Sequence, residues 1–214
     1  MGQKQDTLCE LLEGEGSLDQ HRRPNAADRA RAGLLEDAVD LYRGLGGILP
    51  VMPTRAGKWD AVFEGVAVEL DEQLHFNRYR LRTLGARPYD RLLNFPRHRY
   101  QAFCRDHEPA CLKAGSYGGK WSNRSCERQF GPPGAPGDLS GAGAPRWKQR
   151  AFYDFLKDLA PLALDLPVAR LSIWERLPGD QMRRRIQECL RRPSPETATQ
   201  IVAFIRLRAL SPTP

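Results

Sequence analysis

Residues 66–71 read Val-Ala-Val-Glu-Leu-Asp, and this short run limits the possible folds more than any other part of the 214-residue chain. Its Val-rich start suits a strand buried inside a sheet. Side chains alternate along a strand, so Glu69 and Asp71, two positions apart, project from the same face. Two carboxylates so placed repel each other unless a cation lies between them. Two further apolar segments precede the run, ILPVMP at 48–53 and KWDAVFEG at 58–65, separated by turn-formers at 54–57 and at Glu64 and Gly65. The pattern predicts a three-stranded meander.

Upstream, residues 1–24 are polar and charged apart from the short run LCELL, and read as a mobile lead-in. From Asn25, a cap residue, Leu34, Leu35, Ala38, Leu41, Tyr42 and Leu45 recur at three- and four-residue spacing, which predicts one helix closed by Gly46 and Gly47. Downstream, nine of the fifteen residues at 131–145 are Gly or Pro, so this stretch is loop. A helix carrying Trp147, Phe152, Phe155, Leu156 and Leu159 on one face follows, then a strand in VARLSIWERL and two helical runs from 181 onward. The order predicts an α/β domain at 25–175 with a mixed sheet, a basic helical insert at 78–146, and a helical C-terminal extension at 176–214.

The carboxylates carry the chemistry. Asp60 stands on the segment preceding the Glu69 strand, so Asp60, Glu69 and Asp71 converge as three hard oxygen ligands suited to Mg²⁺ or Mn²⁺. His75, four residues on, is placed to position a water, assist proton transfer or contact phosphate. The competing reading is an acidic strand end entering a turn.

The formal net charge is +7, and 27 of the 33 basic residues are Arg, a composition suited to phosphate contact. Between Arg78 and Arg105 eight arginines meet one acid, Asp90, interleaved with Tyr79, Tyr89, Phe95, Tyr100 and Phe103. Such a mixture fits a nucleic-acid surface, with Arg78, Arg80, Arg82, Arg87 and Lys120 on phosphates. It fits equally an amphipathic stretch whose rings are core and whose arginines are solvated. Cys104, His107 and Cys111, with Cys126 fifteen residues later, offer four ligands for a structural zinc, against the alternative of buried thiols and a surface His. Five scattered cysteines and the absence of a signal peptide or an 18-residue apolar run suggest a cytoplasmic protein with no membrane partner. No G-x-S-x-G, H-E-x-x-H or strand-linked G-x-G-x-x-G motif appears, which leaves serine hydrolase, metalloprotease and nucleotide-cofactor chemistry without support.

The stretch VAVELDEQLHFN resembles the Glu-x-Asp-x-x-x-His strand of the very-short-patch-repair-type endonucleases and their uncharacterised relatives in the PD-(D/E)xK nuclease superfamily. The resemblance covers about residues 26–77 and 147–175 and implies a restriction-endonuclease-like mixed sheet flanked by helices. It implies a first helix bearing an acid, here Glu36 or Asp37, and a metal held by Asp60, Glu69 and Asp71. The spacing of Gln149 and Tyr153 is similar to the Gln-x-x-x-Tyr motif of exonuclease-type members, which contacts substrate or orients the site. The repair-type branch also uses a structural zinc. Asp71 stands where the superfamily's Lys belongs, Lys58 lies on the preceding segment, Glu72 replaces the usual Gly, and about seventy residues separate the third strand from the later helix. The implied function is metal-dependent hydrolysis of phosphodiester bonds in DNA, with Asp60, Glu69, Asp71, His75, Gln149, Tyr153 and Glu36 in the site. The missing Lys motivates the alternatives of a catalytically inactive nucleic-acid-binding protein on the same scaffold and of an interaction module for an acidic partner.

Overall fold

The structure, a computed structural model, describes residues 2–210. Its centre is a mixed three-stranded sheet in the order β1 (Ala61–Phe63), β2 (Val66–Asp71), β3 (Val168–Ser172), with β1 antiparallel and β3 parallel to β2. Glu64 and Gly65 join β1 to β2 with φ of 50° and 75°, the left-handed pair that a two-residue hairpin turn requires. Every residue of β2 is buried, as a central strand covered on both faces must be. The class is therefore α/β, as expected.

Helices cover the sheet. α1 (Gln3–Glu15), α2 (Ala26–Arg31) and α3 (Leu35–Gly44) precede it, and α4 (Arg78–Thr83), α5 (Arg97–Gly115), α6 (Gly118–Trp121) and α7 (Arg124–Phe130) form the insert. α8 (Pro145–Asp158) and α9 (Ala160–Leu164) lead into β3, and α10 (Ile186–Arg191) and α11 (Thr197–Ala209) follow it. α8 starts on Pro145, whose missing N–H breaks no helical bond in the first turn, and it buries Trp147, Phe152, Phe155 and Leu156 completely. The last residue of α5, Gly115, permits a close approach: a Cβ there would stand 2.4 Å from a Leu74 methyl, which would have to move away from the helix end. None of the helices among the described residues is long and apolar enough to cross a membrane.

Three expectations are corrected. Residues 48–53 form no strand, because Pro50 and Pro53 cannot donate to a ladder, and Ile48 and Val51 are exposed. The edge beyond β1 is touched instead by Leu18, bridged to Phe63. The lead-in is not mobile: α1 packs against α10 and α11 with Leu8 and Leu12 fully buried, each contributing about 1.5–3 kcal/mol. The helix expected from Asn25 is two, because the chain turns at Gly33 with φ 68°; Asn25 caps the first in a reciprocal pair of bonds with Asp28.

Candidate functional site

The end of β2, the following 3₁₀ turn (Gln73–His75) and one face of α8 enclose a cleft of about 510 Å³. Asp60, Glu69, His75, Tyr153, Asp154 and Lys157 line it, together with Gln5 from α1. Asp60 sits one residue before β1; its Oδ2 accepts the Leu70 N–H at 2.8 Å and its Oδ1 accepts Gln5 Nε2 at 2.8 Å. Burial raises its carboxyl above the usual range, against the Leu70 hydrogen bond and the charge of Lys157. Lys4 pairs with Glu72 at 2.5 Å, so α1 is tied to the rim twice.

Glu69 is almost wholly buried and accepts a 2.6 Å hydrogen bond at Oε1 from Lys157 Nζ. Burial pushes the Glu69 carboxyl up to about 8 even though Lys157 and Arg170 both oppose the shift. Its Oε2 accepts no hydrogen bond among the described residues and lies 4.0 Å from Arg170 Nη1. Lys157 also donates to the Lys58 carbonyl at 2.7 Å, which fixes its ammonium between the two strands' ends and α8.

Asp71 departs from the expected convergence. It shares the Glu69 face of β2, but its Oδ1 accepts Arg170 Nη1 at 2.6 Å and lies 3.1 Å from His75 Nδ1, and its Oδ2 is buried with no hydrogen-bond partner. Arg170, which pairs in register with Glu69 from β3, is the cation that electrostatics demanded between the carboxylates. The same guanidinium reaches Asp154 at 3.4 Å and Asp158 at 2.6 Å, making it the hub of a buried network. His75 Nδ1 lies 2.8 Å from Asp154 Oδ2. Burial would raise Asp154, but His75 and Arg170 outweigh it and hold the carboxyl well below its usual range. When His75 Nδ1 carries a proton, an ionised Asp154 accepts its hydrogen bond and so orients the imidazole. Asp71, His75 and Asp154 each offer a ligand atom within 4.8 Å of the others, a set that could hold a metal ion.

The other expected residues divide clearly. Tyr153 lines the cleft, and its hydroxyl exchanges hydrogen bonds with the Gln129 amide, at 2.9 and 3.2 Å. Gln149 is buried behind the wall, bound to Arg146 and 3.5 Å from Ser125 Oγ, so it positions Arg146 rather than facing the cleft. Glu36 is exposed on α3 and takes no part in the cleft lining; its neighbour Asp37 pairs with Arg87 at 2.9 Å. Lys120 does line the cleft.

The basic stretch follows its structural alternative. Arg80 is fully buried, bonded to Tyr89 Oη at 2.8 Å and Asp158 at 2.7 Å; burial alone would lower its pKa, but Asp158 and Tyr89 reverse the effect. It therefore cannot contact nucleic acid. Arg78 grips Glu108 at 2.7 Å, Arg87 pairs with Asp37, and Arg82 is exposed beside Gly44. Tyr89, Phe95, Tyr100 and Phe103 pack edge-on or tilted within the core instead of presenting faces for bases.

Nor do the zinc candidates meet. Cys104 belongs to the main core, Cys111 packs with Trp121 and Trp147, His107 stacks on Trp174 at 4.0 Å, and Cys126 caps its own helix through Asn123. Burial raises the Cys104 and Cys111 thiols to about 12, as expected of inert core cysteines.

Lys157, Asp154, Arg146 and Arg150 escaped the sequence reading. The signal was present for the first, because Gln149, Tyr153 and Lys157 follow one another at four-residue spacing on one helical face.

A sequence profile described as "Family of unknown function (DUF7255)" matches residues 40–192, a span that contains β1, β2, β3 and all of α8. No curated protein and no solved structure matches the chain.

Proposed function

The chain belongs to this family of unknown function, and from that premise we propose that it is a divalent-metal-dependent nuclease that hydrolyses phosphodiester bonds in DNA, on a restriction-endonuclease-like scaffold. The observation that carries the reading is Lys157. The residue missing at position 71 has a counterpart delivered from α8, 2.6 Å from Glu69 in the cleft that Asp60 also lines. The antiparallel hairpin followed, after the insert and the helices α8 and α9, by a parallel third strand supports the same scaffold.

Asp60 and Glu69 would hold Mg²⁺ or Mn²⁺; both present carboxylate oxygens to the cleft, and Glu69 Oε2 has no hydrogen-bond partner among the described residues. When bound, the ion would polarise a phosphate oxygen and lower the pKa of a coordinated water. Lys157 places a positive charge where negative charge grows on the phosphate. His75, oriented through Nδ1 by Asp154, has Nε2 available to move a proton. Tyr153 packs against the path of the substrate, and DNA is preferred to RNA because the resembled branch acts on DNA.

The test is cleavage of plasmid and oligonucleotide DNA by purified protein with Mg²⁺ or Mn²⁺, blocked by EDTA. Lys157→Met should lower the rate about 10²–10³-fold, the loss typical of removing one preorganised donor to the transition state. Undiminished cleavage by Lys157→Met or Glu69→Gln would defeat the assignment. A second reading, a DNA-binding protein without catalysis, is favoured by Arg170 and Lys157, which already neutralise Asp71 and Glu69 without a metal. Metal-independent binding with no cleavage would select it.

A further inference from the structure

We propose that Lys120, Arg146 and Arg150 form a phosphate seat at one end of the cleft, holding a phosphate group of the polynucleotide beside the one that is cut. The choice of ligand rests on the nuclease reading above, but the test below does not require catalysis.

Arg146 and Arg150 are four apart and share one face of the first turns of α8. Lys120 is brought to the same place by Trp147, whose Nε1 donates to the Lys120 carbonyl at 2.9 Å. All three line the cleft that contains Asp60 and Glu69. Each is anchored only by neutral acceptors. Lys120 Nζ donates to Tyr117 Oη at 2.8 Å and the Ala114 carbonyl at 3.3 Å, Arg150 Nη1 to the Leu74 carbonyl at 3.4 Å, and Arg146 to the Gln149 amide. None forms an ion pair among the described residues.

That lack matters because three of the five buried cations among the described residues are paired, Arg29 and Lys148 being the exceptions, and neither of these lines the cleft. Arg80, Arg170 and Lys157 all have carboxylates within 2.7 Å. Burial lowers the Arg150 pKa, Asp154 opposes the change, and the charge of Arg146 adds to it, so Arg150 is a partly desolvated cation next to a like charge. An anion placed between the three relieves both penalties. The guanidinium fork matches two phosphate oxygens at once, and the flexible ammonium of Lys120 can take a third. Asp60 and Glu69, which line the same cleft, would repel that anion, so it is held only where the three cations gather. An internal phosphodiester and a terminal phosphomonoester share this chemistry.

The experiment measures binding in EDTA of a 3′-labelled single-stranded oligonucleotide, with and without a 5′-phosphate, across a salt series. The double variant Arg146→Gln/Arg150→Gln should raise Kd at least tenfold and reduce the slope of log affinity against log salt by about 1.4, at about 0.7 per single-strand contact. Equal losses on both oligonucleotides identify an internal phosphate as the occupant, and a loss confined to the phosphorylated one identifies a terminal phosphate. The control Arg78→Gln/Arg87→Gln, in which both residues already pair with acids, should bind as the wild type does. Wild-type affinity and slope in a folded double variant, or no binding by the wild type, would overturn the proposal. Should the double variant not fold, the exposed Lys120→Gln decides: about threefold weaker binding supports the seat and unchanged binding removes it. A chain that binds here but never cuts leaves the seat standing while defeating the nuclease reading.

Discussion

Between Arg78 and Arg99 five of the seven guanidinium groups reach carboxylates, Glu108, Asp158, Asp37, Asp90 and Glu175 in turn, with Arg82 and Arg91 the exceptions, whereas on the first turns of α8 Arg146 and Arg150 meet only neutral oxygens. The first region has the denser charge in the sequence and the second borders the cleft. Density is therefore a poor guide to where a basic chain meets an anion. An arginine whose charge is already answered holds the fold together, and an unanswered one offers itself to a ligand only where it also lines a cleft, as Arg146 and Arg150 do and the buried Arg29 does not.

The comparison breaks most readily at Arg80. Arg80→Ala removes a fully buried guanidinium and leaves Asp158 and Tyr89 short of a partner, so chemical denaturation should show a loss of about 3–5 kcal/mol. DNA affinity per folded molecule should be unchanged. A folded, stable Arg80→Ala protein with weakened DNA binding would erase the distinction between the two regions.

Glu69 offers a sharper probe of the cleft side. Its carboxyl sits near 8 in the folded chain and near 4.5 when unfolded, so the folded state holds the extra proton between those values. That contribution to stability is complete below pH 4.5 and is lost as pH rises through 8. The urea midpoint of the metal-free protein should fall from pH 5 to pH 8, and Glu69→Gln, which cannot titrate, should flatten that part of the fall. Added Mg²⁺ should reverse the trend, since a cation favours the ionised carboxylate, and its stabilising effect should grow with pH. An identical pH profile in the Gln variant would show that Glu69 titrates normally.

The smallest effect belongs to the exposed members of the first region. Arg78→Ala and Arg87→Ala each break an ion pair at the surface, and unfolding should register at most about 1 kcal/mol. Neither should alter the salt dependence of DNA binding. A change in that slope would move part of the binding face back to the basic stretch.

Local patterns made much of this legible. Hairpin chemistry at Glu64 and Gly65, the shared face of Glu69 and Asp71, the helix at 145–158 and the strand beginning at Val168 all follow from periods and turn residues within short windows. α1 was not legible because only Leu8 and Leu12, four apart, anchor an otherwise polar segment, and its partners lie near the far end of the chain. The partition of the arginines was equally hidden, since Arg78, Arg80, Arg87 and Arg99 depend on acids 30 or more residues away. Asp71 illustrates the point: its Arg170 partner is set by the register of β3, which nothing in the sequence of β2 announces.

The parallel pairing of β2 with β3 also dictates when the cleft can exist during folding. Glu69 meets Lys157 across 88 residues, and Asp71 meets Arg170 across 99. Contacts that distant require a long loop to close first, which is entropically slow, and no local element can assemble them in advance. On a ribosome the carboxylates of β2 emerge well before the cations that neutralise them. Until α8 and β3 have been made, the growing chain holds an acidic strand without its partners, and the cleft cannot be complete.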